Sequence, residues 1–169
     1  MNDCRIDFDI KDVERMIRML NKLGKSPQKA VNRAASKGGT IVKRAIRQGT
    51  VPVGETGNLK KAIIRKAEHS KLRGKKVYEV TFDKKYNDVL QKPIKNPGEA
   101  GGKSEHAYYP ASQEYGFLTR SKGNGVTYVP GYHFMRKGAE QAAPEATKAM
   151  INKAMEELEK IWTEATTGG

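Results

Sequence analysis

Apolar residues recur along this chain at two periods, and the change from one to the other predicts an α+β protein. Ile10, Val13, Met16, Ile17, Leu20 and Leu23 stand at helical spacing over Asp9 to Leu23. Asp9 or Asp12 can cap the start of that helix, and Gly24 can end it in the left-handed conformation. Ser26 and Pro27 read as an N-cap and a first-turn proline opening a second helix, which runs to about Gln48 before Gly49 stops it. On that helix Ala30, Val31, Ala34, Ala35, Gly38, Ile41, Val42, Ala45 and Ile46 share one arc. Most of these side chains are small, so another helix can approach closely.

Thr56 is a good N-cap for a shorter third helix carrying Leu59, Ala62, Ile63 and Ala67 inward. The period then changes: Tyr78, Val80 and Phe82 alternate with polar residues, which predicts a half-buried strand over Val77–Phe82. A weaker strand pattern covers Tyr86 to Gln91. Pro93 to Glu105 reads as a loop, Ser121 to Gly125 as a Gly-rich turn, and Val126–Val129 as a short strand. A long helix follows from about Phe134 to Glu164, kinked or restarted at Pro144, which has no N–H to donate. The expected fold has long N-terminal helices and a long C-terminal helix packed on a small, mainly antiparallel sheet. That sheet should hold both Val77–Phe82 and Val126–Val129. Residues 1–165 are read as a single domain with a flexible loop at 93–105, and 166–169 as a frayed tail.

Charge adds a second layer. Among 169 residues, Lys and Arg number 32 and Asp and Glu 19, a net of +13. Residues 25–75 carry a net of +12, residues 139–169 a net of −3, and no acidic residue falls between Arg15 and Val53. Lys29, Arg33, Lys37, Lys43, Arg44 and Arg47 occupy the arc of the second helix opposite its apolar one, which makes them candidates for contact with a partner or with phosphate. No aromatic residue interleaves them, so base stacking there is not expected. Leu, Ile, Val and Phe make up only 31 residues. So lean a core suggests that neighbouring chains bury part of the apolar surface. Cys4 is the single cysteine, which excludes an internal disulfide and fits a reducing compartment. The short apolar runs predict neither a membrane span nor a signal peptide.

A search for catalytic chemistry fails. His69, His106 and His133 lack metal-ligand spacing with one another or with Cys4. Pro97 to Ser104 ends like a phosphate-binding loop, but Pro97 stands where its first glycine belongs and no strand–loop–helix frame surrounds it. No catalytic, cofactor-binding or metal-binding residue is assigned.

Three blocks bring a resemblance into view. Pro52 to Ile63, with Thr56-Gly57-Asn58-Leu59 and the basic pair Lys60-Lys61, resembles a segment of the neck or tail-completion proteins of long-tailed, lambda-like bacteriophages and prophages, also labelled minor tail components. Ala107 to Phe117 is similar to that family's Tyr-Ala-x-Tyr-x-Glu-Phe-Gly-like stretch. Phe134-Met135-Arg136-Lys137-Gly138-Ala139 resembles its aromatic-leucine-arginine-x-alanine helix start. The blocks keep the family's order, although Gly54-Glu55 replaces the usual aspartate and the loop from Pro93 is longer. The matching structural positions are Thr56, Gly57, Asn58, Leu59, Tyr115, Gly116, Phe134 and Arg136. Of these, Thr56 should cap a helix and Gly116 suits a turn that a larger residue would strain.

The resemblance implies a non-enzymatic virion protein of the head–tail junction, assembled in the host bacterial cytoplasm. It further implies a homo-oligomeric ring, a hexamer or dodecamer, that meets other phage neck and tail proteins and lets DNA pass; non-specific contact with that phage DNA is an open option for the basic helix. No membrane and no cofactor are involved. The alternative from another class is a non-sequence-specific nucleic-acid-binding protein using its basic helix. For that helix itself, pairing with an acidic protein surface is favoured over lining a DNA channel, since transit of DNA rewards weak binding.

Overall fold

The computed structural model describes residues 14, 17, 27–49, 57–69, 72, 74–94, 106–121 and 125–167. Along the chain run α1 (Pro27–Gln48), α2 (Asn58–Ala62), β1 (Ile63–Ala67), β2 (Tyr78–Phe82), a 3-10 turn (Lys84–Tyr86), α3 (Asn87–Leu90) and β3 (Gln91–Pro93). Then follow β4 (His106–Tyr108), α4 (Tyr109–Tyr115), β5 (Gly116–Ser121), β6 (Gly125–Pro130) and α5 (Phe134–Thr167). The protein is α+β, as the two periods predict, with a long helix at either end of the described chain. Of the helix read over Asp9 to Leu23, Glu14 and Ile17 are helical and the remainder lies outside the described residues, as do Thr56 and residues 95–105.

The strands are distributed differently from the expectation. They form three two-stranded sheets, β1–β2, β3–β4 and β5–β6, of which the last two are antiparallel. Val77–Phe82 and Val126–Val129 therefore fall in separate ladders. Each strand is satisfied by a neighbour close in sequence, which costs less loop-closure entropy than a joint sheet.

Two further expectations change. The third helix ends after Ala62, because the β-branched pair Ile63-Ile64 goes over to extended backbone (ψ 114° at Ile63). Leu59, Ala62 and Ile63 are buried as expected, but Ala67 is an exposed strand residue. Gly57 stands at the N-terminus of α2 with φ 61° and gives no side-chain cap. Where Tyr86 to Gln91 suggested a strand, Asp83 caps a 3-10 turn by accepting from the Lys85 amide at 3.1 Å. The chain then makes one turn of α3, anchored by buried Leu90, before pairing as β3. Nor does the C-terminal helix restart at Pro144. That residue is exposed, and α5 continues through it.

The chain divides into two compact units, residues 1–43, 65–80 and 140–169, and residues 44–64 and 81–139. In the first, α1 and α5 meet through small residues. A Cβ on Gly38 would strike the Met150 side chain, with the Ala146 carbonyl behind it at 3.7 Å. Ala30, Ala34 and Ala35 of α1 and Ala146, Ala154 and Leu158 of α5 are buried. Gly39 sits against the β1–β2 ribbon, where a Cβ would come within 2.9 Å of the Arg65 stem and 3.1 Å of Tyr78 Cβ.

The second unit is centred on Phe134, which is 2% exposed. Its ring meets Phe82 edge-on at 6.4 Å, and Phe82 meets Tyr108 in the same way at 6.3 Å. Glu114, also buried, starts the long helix: its carboxylate accepts from the amides of Met135 at 2.8 Å and Arg136 at 3.1 Å. These are first-turn donors without intrahelical partners, and a negative charge there also complements the helix dipole. Glu114 thus joins two of the three family-like blocks. The chain crosses itself nearby, where Gly116 (φ 87°) abuts the Val129 carbonyl and Gly131 abuts that of Glu114.

Replacing Glu114 by Ala should destabilise the protein by about 1–2 kcal/mol, the range of a lost helix cap. Glu114→Gln, which keeps one acceptor oxygen, should cost less. Chemical denaturation reads both.

Candidate functional site

The basic arc of α1 is presented unevenly. Lys29, Arg33 and Lys37 are exposed in the first unit, one helical turn apart, and Lys43 there is half-buried. Arg44 (exposed) and Arg47 (half-buried) belong to the second unit.

Along the first stretch lies an open groove of about 390 Å³, lined by Asn32, Arg33, Ser36, Lys37, Thr40, Tyr78 and Lys153. It combines cations, hydroxyls, an amide and one aromatic ring, and no aliphatic side chain. Two elements besides α1 shape it. Arg65 of β1 donates to the Ser36 carbonyl and, at 2.5 Å, to its hydroxyl. The same guanidinium stacks 4.4 Å from the centre of the Tyr78 ring, and the Lys76 ammonium lies 5.7 Å from it. The turn between β1 and β2 is held to the start of α1 by Gln28, which accepts from the Gly74 amide at 2.7 Å and donates to the Lys75 carbonyl at 3.2 Å.

Two of the groove's three cations are already engaged. Glu157 of α5 is only 3% exposed, and its carboxylate pairs with Arg33 and, at 3.0 Å, with Lys153. Lys153 also holds Glu156 at 2.9 Å, and Lys160 completes the cluster on Glu156. Hydrogen bonds from Lys160 and Lys153 take Glu156 down to about 2, and the bond from Lys153, aided by Arg33, holds Glu157 below the usual carboxylate value. Lys153 is pushed up by the same bonds, chiefly the one to Glu156. Among the described residues, Lys29, Lys37 and Lys75 have no ion-pair partner.

Arg33 and Lys37 are thus the sequence candidates that the fold brings together in the groove. Lys153, Tyr78 and the Asn32–Ser36–Thr40 stripe were not anticipated. The stripe's four-residue spacing beside Lys29, Arg33 and Lys37 was a usable signal; Lys153 and Tyr78 arrive through tertiary contacts. Of the motif positions, Leu59 and Phe134 are buried, Gly57 and Gly116 have positive φ, and Tyr115 is 69% exposed. Asn58 is half-buried and Arg136 exposed, its amide bound to Glu114. Among the described residues, no group of three or more His, Cys, Asp or Glu could hold a metal, and no helix is long and apolar enough to cross a membrane.

The carboxylate cluster predicts acid sensitivity. Both glutamates titrate lower in the folded chain than their ordinary 4.5, so in that window the unfolded chain binds more protons. The stabilisation is therefore complete above pH 4.5 and is lost as pH falls through the folded values, toward about 2 for Glu156. Thermal unfolding followed from neutral pH downward should show that loss, and Glu156→Gln should flatten it.

The sequence pattern of the family described as "Bacteriophage HK97-gp10, putative tail-component" matches residues 14–109, more than half of the chain. No curated protein and no solved structure matches. The matched span takes in α1, the Thr56–Leu59 block, both strands of the first ribbon and every groove residue except Lys153. The chain belongs to the HK97-gp10-like family of bacteriophage tail components.

Proposed function

We propose that the protein is a structural component of the head–tail junction. In this reading residues 1–165 are one neck-protein domain, and copies form a ring, a hexamer or dodecamer, that meets other neck and tail proteins and lets DNA pass. The observation that carries the reading is the family match over residues 14–109.

Self-assembly has support in the second unit. The β5–β6 ribbon pairs Phe117 with Val129 and Leu118 with Tyr128, yet Phe117, Leu118, Val126 and Tyr128 are 43–56% exposed. A two-stranded ribbon is marginal in water alone, and apolar side chains on it gain from a neighbour that covers them. On one face of the ladder, Leu118, Tyr128, Val126 and Pro130 form a strip suited to the adjacent copy.

Introducing aspartate at Leu118 and Val126 should abolish oligomer formation by the full-length protein in analytical ultracentrifugation. The far-UV circular dichroism should not change, because surface substitutions normally shift stability by only about 0.5 kcal/mol. A variant that still assembles would remove this ribbon from the ring.

A further inference from the structure

We propose that the cationic face of the first unit, formed by the first half of α1 and by Lys75 ahead of β2, binds the phosphate backbone of duplex DNA without reading its sequence. The sequence located one basic helix, and the structure adds a second basic segment beside it. Through its two hydrogen bonds to Gly74 and Lys75, Gln28 fixes the β1–β2 turn at the start of the helix. The Lys75 backbone is thereby tied to Gln28, the chain neighbour of Lys29, with Lys37 two helical turns along α1.

What this face lacks decides between a nucleic acid and a protein. A protein interface needs an apolar centre to gain affinity. Here the groove offers Asn32, Ser36, Thr40, Lys37 and cations already paired, with no aliphatic side chain. Its one ring, Tyr78, is occupied by Arg65 and Lys76, so it is unsuited to stacking a base. Ammonium groups and hydroxyls, with no aliphatic side chain among them and the one ring already covered by cations, suit phosphate oxygens, which fix position and carry no sequence information.

Two of the six glutamates in residues 139–169 are also engaged within the chain. Glu156 and Glu157 of α5 are bound to Lys153, Lys160 and Arg33 within the chain, so the same pairing between neighbouring copies would have to break them. Among the described residues of this face, Lys29, Lys37 and Lys75 are exposed cations without an ion-pair partner, and these can release counterions from DNA.

The inference rests on the tail-component reading only for where duplex DNA is met; its test is independent of particles. Full-length protein is titrated with a fluorescent duplex of arbitrary sequence over a range of salt. One variant carries Lys29→Glu, Lys37→Glu and Lys75→Glu. A control of equal charge carries Lys84→Glu, Lys92→Glu and Lys148→Glu, three exposed lysines that belong neither to the first half of α1 nor to the segment before β2. The face variant should lose at least tenfold in affinity, and its salt dependence should become shallower by about 2.7 in the log–log slope, three contacts at 0.9 each. The control should lose less than threefold. Equal losses in both would show that net charge alone binds DNA, and would overturn the proposal. So would polyglutamate binding as tightly as the duplex with the same dependence on the three lysines, which would mark an acidic-protein surface. If the glutamate triple does not fold, the three Lys→Gln changes replace it, with the same ordering expected.

Discussion

Burying the Glu157 carboxylate fixes how charge is distributed over the first unit. A carboxylate almost excluded from water is tolerated only with cations against it. Lys153, one turn earlier on the same helix, supplies one, and Arg33 of α1 supplies the other. The pairing ties α5 to α1 alongside the small-residue contact of Gly38 with Met150. It also sorts the basic residues by role: Arg33 and Lys153 serve the fold, while Lys29, Lys37 and Lys75 are left for something outside it. A charge-reversal experiment that included Arg33 would confound the two roles, because it would strand Glu157 without one of its partners.

The two units expose surfaces of opposite character. The groove of the first carries hydroxyls and cations, whereas the β5–β6 ribbon of the second carries half-exposed aromatic and aliphatic side chains. Apolar area drives association between proteins and cationic area drives association with phosphate. Under the proposed function, a component that joins its own copies and stands beside DNA has use for both. The lean core indicated by the composition has a related counterpart: four of the exposed large apolar residues, Phe117, Leu118, Val126 and Tyr128, lie together on that ribbon.

Local signals in the sequence were reliable where they were complete within one element. Pro27 and Gly49 bracketed α1 (the cap expected at Ser26 lies outside the described residues), the alternation of Tyr78, Val80 and Phe82 marked β2, and Phe134 opened α5. Local reading failed where one turn of pattern fits two structures. Leu59, Ala62 and Ile63 satisfy a helical arc, but the helix stops as Ile63 and Ile64 enter a strand. At Tyr86 to Gln91, the Asp83 cap turned the chain before any extended run could form. The site was legible only as a row of basic residues on one helix. Which of them are neutralised depends on Glu157, 124 residues from Arg33. The second basic segment is placed by Gln28, 46 residues from Gly74. Glu114 was visible as part of a family-like block, but its task of starting α5 was not, because its partners Met135 and Arg136 lie in another block.

The central claim concerns where the protein resides, and imaging of purified phage particles tests it most directly. Electron cryomicroscopy of particles carrying a tagged copy should show density for this chain as a closed ring between head and tail. Its β5–β6 ribbon should lie against the adjacent copy. Particles that are complete, infectious and devoid of the protein would contradict the account, as would density at the distal tail tip.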